Sequence, residues 1–228
     1  MESRAILFDL DGTLIDSLPG IEYALDCTLS EFGLPPRICS LRPMIGPPIR
    51  KIFARLLGPA ASNEMLSALE VAFRRVYDGS GWRKTVVHAN AIHTLSVLRG
   101  AGVGLYLVTN KPKLATELIL EEFGLKAYFS RVLSRDSQMP PFESKAAMLT
   151  HLISAENLSP KNCLYVGDTS EDYHAGIEAG IPVALVLLGY GDVNTDVPQE
   201  SCKTLTDLSA LLDGLDILDE NCDRSRYF

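Results

Sequence analysis

The chain has no two cysteines at a CxxC spacing, and its cysteine count is odd: Cys27, Cys39, Cys163, Cys202 and Cys222. That pattern speaks against a disulfide framework and fits reduced thiols in a cytoplasmic protein. Nor does any apolar run reach the roughly 18–20 residues a membrane span needs. No leader segment precedes the first apolar stretch, so neither a membrane partner nor export is expected. Positive charge is in deficit, with a formal net charge of −8. A nucleic-acid partner calls for a basic field, which is missing. An anionic ligand would need local positive charge, from a metal or from placed lysines and arginines. His88, His93, His151 and His174 are scattered, no pair has metal-ligand spacing, and each reads as a surface or internally satisfied histidine. Internal repeats and low-complexity segments are absent. Nothing in the composition decides between monomer and dimer.

What is present begins with Arg4-Ala5-Ile6-Leu7-Phe8, a short apolar run that fits a strand buried on both faces. Asp9 and Asp11 follow it, pointing to the same side if the strand continues, and Gly12 marks a turn. Taken alone, such a pair reads as a polar strand end. At the carboxyl edge of a parallel sheet it is also a way to build a magnesium site.

The pattern then turns helical. Residues 16–33 form a predicted helix capped by Ser17 with Pro19 in its first turn, and Pro35-Pro36 breaks the chain. Residues 42–48 are too rich in proline and glycine for regular structure and read as a loop. Helices are predicted over 49–57 and 63–77, with Gly79-Ser80-Gly81 as a flexible joint. From residue 83 onward strands and helices alternate. Strands are expected at 104–109, 128–133, 163–167 and 182–188, and helices near 89–100, 113–123, 144–155, 171–179 and 205–212. The tail 216–223 is acidic and expected to fray. Alternation of this kind predicts an α/β fold, a Rossmann-like three-layer core around a parallel sheet, formed by residues 1–15 and 83–228. Residues 16–82 would be a helical insertion directly after the first strand.

Four polar groups fall at strand or helix ends that such a sheet gathers on one edge: Asp9 and Asp11 with Thr13, Thr109-Asn110-Lys111, Lys145, and Gly167-Asp168 with Asp172. The carboxylates suit magnesium completed by water and a substrate phosphate. A hydroxyl, backbone N–H groups and an ammonium suit the oxygens of a transferring phosphoryl group. Lys111 competes with Lys145 for the part of that ammonium.

In order and spacing these pieces resemble the haloacid dehalogenase-like hydrolase superfamily. Phe8-Asp9-Leu10-Asp11-Gly12-Thr13-Leu14-Ile15-Asp16-Ser17 is close to its first motif, and the insertion looks like its helical cap domain. Arg42-Pro43-Met44-Ile45-Gly46-Pro47-Pro48 and Gly189-Tyr190-Gly191 resemble the phosphoglycolate phosphatase branch. Two stretches depart from that branch. Met139-Pro140-Pro141-Phe142-Glu143-Ser144-Lys145 stands where Lys-Pro-x-Pro is common, and His88-Ala89-Asn90-Ala91 where Tyr-Pro-Gly often is.

The resemblance implies a Mg2+-dependent phosphatase acting on a small phosphorylated metabolite. Asp9 would be the nucleophile that becomes an aspartyl-phosphate, and Asp11 the acid and base. Asp9, the backbone carbonyl of Asp11, and Asp168 would hold the metal. Thr109, Asn110 and Lys145 would hold phosphate, with Thr13 and Asp172 in support. Arg42 and Arg50, beside the Gly-Pro-Pro loop, are the first choices among cap residues for reading the substrate. A sugar-phosphate mutase of the same superfamily is the nearest rival, though Thr13 after Gly12 is more typical of phosphatases. A dehalogenase or phosphonate hydrolase lacks the second acid, a receiver domain is half this length, and a catalytically idle relative would not need all four motifs intact.

Overall fold

The computed structural model describes residues 4–191, residue 197 and residues 202–214. The acidic stretch 216–223 and Cys222 lie outside them.

The first strand, β1 (Ala5–Phe8), is wholly buried. A two-residue strand, β2 (Ile15–Asp16), then leads into three helices: α1 (Leu18–Glu31), α2 (Ile49–Leu57) and α3 (Asn63–Gly79). The chain returns through β3 (Val86–Val87), which pairs antiparallel with β2, Ile15 opposite Val87 and Asp16 opposite Val86. Thereafter strands and helices alternate: α4 (Ala91–Gly100), β4 (Gly104–Thr109), α5 (Lys113–Glu122), β5 (Arg131–Ser134), α6 (Lys145–Ala155), β6 (Cys163–Gly167), α7 (Ser170–Glu178), β7 (Val183–Val186) and β8 (Lys203–Leu205). The main sheet has six strands in the order β5-β4-β1-β6-β7-β8. Every pairing in it is parallel. The order reverses at β1, which is where open α/β sheets place their ligands.

Side chains alternate across this sheet as the strand period demands. On one face Ile6, Phe8, Leu105 and Leu107 pack with Leu95 and Leu98 of α4 and Ile119 of α5. On the other face Leu7, Tyr106, Val108 and Tyr165 pack with Met148, Leu149 and Leu152 of α6 and Ala175 of α7. Both faces are therefore covered, which is why the strands read as continuous apolar runs and not as alternating ones. The α/β, Rossmann-like expectation holds.

Several local expectations are refined. The weak strand at 128–133 is a 3-10 turn at Lys126–Tyr128 followed by β5. The last helix gives way to β8 and a 3-10 stretch, Leu208–Gly214. Within the loop 42–48, Arg42–Met44 forms a 3-10 turn. Ser17 takes the N-cap position of α1, but its side chain makes no cap hydrogen bond.

The joint at 79–81 differs most. Gly79 completes α3, and Gly81 is buried at the start of a 3-10 turn, Gly81–Lys84, packed on α1. A Cβ at Gly20 would lie 2.4 Å from the carbonyl oxygen of Gly81, so two backbones meet where no side chain fits. Replacing Gly20 by alanine gains helix propensity but forces that carbonyl away. Gly20→Ala should lose roughly 1–2 kcal/mol net, seen as a fall in Tm of about 2–8 °C in thermal unfolding. An unchanged Tm would mean that α1 and the 81–84 turn separate freely.

Candidate active site

The carboxyl ends of β1, β4 and β6 lie side by side, and each delivers a polar residue. Asp9 follows β1, its N–H donating to Val166 O at 2.8 Å, so it is held as an extension of the sheet. Thr109 ends β4 and is buried. Asp168 follows β6 and is 1% exposed. Lys145 opens α6 just after Ser144, whose side chain caps the helix by accepting from Ala147 N at 3.1 Å.

Two of the acids at this edge are matched by lysines. Lys111 Nζ donates to Asp11 Oδ1 at 2.8 Å and to Oδ2 at 3.2 Å. Burial works against the charge of Lys111, but Asp11 and Tyr77 outweigh it and raise its pKa. Lys145 Nζ donates to Asp172 Oδ1 at 2.5 Å. Burial opposes its charge as well, and Asp172 followed by Asp9 overcomes it, raising the pKa well above the ordinary lysine value. The two lysines that compete in the sequence thus serve different acids.

Asp172 has no coordinating capacity to spare. Its Oδ1 also accepts from Tyr165 Oη at 2.8 Å. Its Oδ2 accepts from the backbone N–H of Asp168 and of Thr169, and from Thr169 Oγ1 at 2.7 Å, closing a capping box on α7. Burial pushes its carboxyl up, yet Lys145 and these hydrogen bonds pull it below the usual range.

Asp9 has only a share of Lys145, and Asp168 has no ion pair among the described residues. Lys145 Nζ lies 3.1 Å from Asp9 Oδ1, close enough for an ion pair. The approach is off the hydrogen-bond direction, and Asp9 Oδ1 is buried without a hydrogen-bond partner among the described residues. Burial raises the Asp9 carboxyl to about 7, with Lys145 pulling down and Asp172 and Asp11 pushing up. Asp168 is raised well above the carboxylate range, first by burial and then by Asp172 and Asp9.

Carboxylate oxygens of Asp9, Asp168 and Asp172 lie within 4.8 Å of one another. With Asp172 taken up, Asp9 and Asp168 are the pair whose repulsion a cation would relieve. An oxygen-only, doubly negative donor set of this kind fits a hard divalent ion. The walls fit too. A Cβ at Gly12 or at Gly189 would lie 2.2 or 2.1 Å from Asp168 Oδ2, and Gly12 holds φ +86, which favours glycine. Only glycines let these loops close on Asp168.

Thr13, fully buried, reaches Asp168 Oδ1 at 3.5 Å. Thr109 Oγ1 accepts from Lys111 N at 3.1 Å, which leaves its hydroxyl proton to donate. Asn110 Nδ2 donates to Glu171 at 3.0 Å on the cavity wall. A cavity of about 450 Å³ opens over Asp9, Asp11, Thr109, Asn110, Lys145 and Asp168. Its roof comes from the insertion, including Ile45–Pro48, Ile52, Phe73 and Tyr77. A second hollow, about 610 Å³ and bordered by Leu29, Pro36 and Arg37, lies away from the acids. Arg37 there is consumed by Glu22 and Asp26.

Neither Arg42 nor Arg50 lines the cavity, a correction to the expectation that they read the substrate. Arg50 donates to Ser67 Oγ and to Asn63 within the insertion. Arg42 donates to Gly189 O at 2.8 Å and lies over the Tyr190 ring.

Tyr190 is a residue whose place the sequence did not reveal. Its N–H donates to Asp168 Oδ2 at 2.7 Å. Its hydroxyl donates to Asp16 Oδ1 at 2.7 Å and accepts from the N–H groups of Ser17 and Leu18 at 2.7 and 3.0 Å. It takes over the cap of α1 that Ser17 leaves open. A tyrosine flanked by glycines just past β7 was the available signal. Tyr77 was missed as well: it only marks the end of the helix predicted over 63–77, yet its ring covers Lys111 Nζ at 4.8 Å.

Comparison with known proteins agrees with this geometry. Residues 6–186 match the family model described as haloacid dehalogenase-like hydrolase. A phosphoglycolate phosphatase of Psychrobacter arcticus is 33% identical over 94% of this chain and 96% of its own length. The phosphoglycolate phosphatase of Aquifex aeolicus is 32% identical over 92% and 97%. A crystal structure described as that of a predicted phosphoglycolate phosphatase from Haemophilus somnus superposes with a TM-score of 0.80 at 26% identity, over 93% of this chain and 98% of that one. The protein belongs to the haloacid dehalogenase-like hydrolase family and is a hydrolase of that fold.

Proposed function

We propose that the protein is a Mg2+-dependent phosphatase that hydrolyses a small phosphorylated metabolite, phosphoglycolate-like in size, through an aspartyl-phosphate on Asp9. The observation that carries this reading is the pair Asp9 and Asp168, buried side by side with one shared lysine between them and the acids Asp11 and Asp172 already held by lysines. Relatives named phosphoglycolate phosphatase support the substrate class.

In this reading a carboxylate oxygen of Asp9 attacks phosphorus and the ester oxygen leaves. Lys145, 3.1 Å from Asp9 Oδ1, offsets the repulsion between that carboxylate and the phosphoryl oxygens. Asp172 fixes Lys145 in place through the 2.5 Å contact. The Thr109 hydroxyl and the Asn110 N–H hold phosphoryl oxygens. Asp11, on the cavity wall, gives a proton to the leaving oxygen and takes one from the water that hydrolyses the intermediate. When bound by Asp9, Asp168 and the Asp11 carbonyl, Mg2+ supplies charge neutralisation and polarises the phosphoryl oxygens. Residues 16–82 act as a cap that excludes water over the site, leaving and rejoining the core at β2 and β3. The unpaired Cys27, Cys39, Cys163 and Cys202 fit a reducing, cytoplasmic setting.

Asp9→Asn should lower para-nitrophenyl phosphate turnover roughly 10⁴-fold or more. In chelator its Tm should equal or exceed that of the wild type, because the amide removes a buried charge facing Asp168. Turnover near the wild-type rate would remove Asp9 as nucleophile.

Asp11→Asn should cost ~10²–10⁴-fold on an alkyl phosphate. The loss in the first step should be much smaller on para-nitrophenyl phosphate, whose leaving group needs no proton. Single-turnover kinetics on both esters decide, and equal losses would deny Asp11 the acid role.

Activity should vanish in excess chelator, return with Mg2+, and be inhibited by Ca2+, which takes more ligands at longer range. Full activity in Ca2+ or in chelator, measured by phosphate release, would refute the metal assignment.

A further inference from the structure

Five arginines in the described residues are half-buried: Arg37, Arg50, Arg74, Arg131 and Arg135. Three of them have partners. Arg37 is paired with Glu22 and Asp26, Arg131 with Glu156, and Arg50 is bonded to Ser67 and Asn63. Arg74 and Arg135 make no ion pair and no side-chain hydrogen bond among the described residues, and these two are the ones that line the cavity above Asp9. Arg74 comes from α3 of the insertion, one turn before Tyr77, and its guanidinium rests against the Phe73 ring. Arg135 comes from the core, directly after β5.

A guanidinium that is partly withdrawn from water and left without an acceptor is unfavourable unless a ligand completes it. The acids nearby do not reach either guanidinium at ion-pair distance, although the charge of Arg74 acts on Asp78. Asp136 accepts from Lys113 N at 2.7 Å and Glu171 from Asn110. Glu70 and Asp78, one turn to either side of Arg74 on α3, form no ion pair with it. The cavity wall also carries Glu70, Asp136 and Glu171, so in a chain of net charge −8 the two guanidinium groups without an ion pair are the places on it where a further anion can be taken. The phosphoryl group itself is accounted for by Thr109, Asn110 and Lys145, if the phosphatase reading above, on which this inference rests, holds.

We propose that Arg74 and Arg135 form a two-arginine subsite for a second anionic group, carried by the substrate at the end remote from the phosphoryl group. The chemistry is that of a carboxylate or a second phosphate, both of which match the guanidinium fork. One arginine stands on the insertion and the other on the core, so a doubly anionic substrate ties the two together, and a singly anionic ester does not. Arg74 and Arg135 are therefore specificity-determining residues.

The test compares kcat/KM for 2-phosphoglycolate and for propane-1,3-diyl bisphosphate, each divided by that for ethyl phosphate, which lacks a second anion. In Arg74→Ala and in Arg135→Ala at least one ratio should fall roughly ten- to hundredfold, the effect of a lost charged hydrogen bond. A fall confined to 2-phosphoglycolate assigns the subsite to a carboxylate, and a fall confined to the bisphosphate assigns it to phosphate. Ratios kept within twofold in either variant would overturn the pair, as would an equal fall in Arg50→Ala, which lies outside the cavity. Arg74→Gln repeats the measurement if the alanine variant unfolds. Should the wild type turn over none of the three esters, the phosphatase reading fails by itself. Titration calorimetry of 2-phosphoglycolate then reads the subsite directly: binding lost in both variants supports it, and binding unchanged or absent throughout overturns it.

Discussion

An excess of buried negative charge at the carboxyl ends of β1 and β6 is the constraint on which the rest of this site depends. Asp9, Asp11, Asp168 and Asp172 crowd one edge of the sheet, with Lys111 and Lys145 as the buried ammonium groups among them. Unpaired buried carboxylates are unfavourable by several kcal/mol each. The raised pKa values of Asp9 and Asp168 express that cost. The neighbouring elements are shaped around it. Asp172 is removed from the competition by Lys145, Tyr165 and the cap of α7. Glycines at positions 12 and 189 bring backbone up to Asp168 where a side chain would collide. In the phosphatase reading, a divalent cation stabilises two like charges held this close.

The same edge is where the insertion is tied down. Tyr190 holds Asp168 with its N–H and the start of α1 with its hydroxyl, and Arg42 grips the adjacent Gly189 carbonyl. From the other side Tyr77 of α3 covers the lysine that pairs with Asp11. The helices therefore contact the site through residues that already bond to its acids. Any shift of the insertion is felt at Asp168 and at Lys111, because close-packed contacts of this kind do not stretch gradually. In the phosphatase reading this gives the insertion a part in ordering the chemistry as well as in enclosing it.

Much of this was legible in the linear pattern because it depends on short-range rules. An apolar run ending in Asp-x-Asp-Gly, alternating strands and helices after residue 83, and Asp168 and Asp172 four residues apart at a strand end each carry a local signature. A parallel sheet then brings strand ends together with no further information, since all of them exit on one edge. Even the switch from apolar strand to helical insertion is visible as a change of period at residue 16. The two-residue strands β2 and β3 and the short β8 were not legible, because so few residues show no period at all.

Tertiary structure alone decided which charges meet. Lys111 and Lys145 compete for one role in the sequence, and only the fold sends one to Asp11 and the other to Asp172. Arg42 and Arg50 flank a loop that does reach the cavity, yet their side chains turn to Gly189 and to Asn63. Arg74 and Arg135, more than sixty residues apart, come to the cavity wall instead. The apolar face of α3 follows from its period, but the period does not say which polar flank of that face will look across at another element. Side-chain identity and spacing determined the fold and the acids of this protein; the partner of each charge was set by the packing of elements distant in sequence, because electrostatic pairing depends on separation in space.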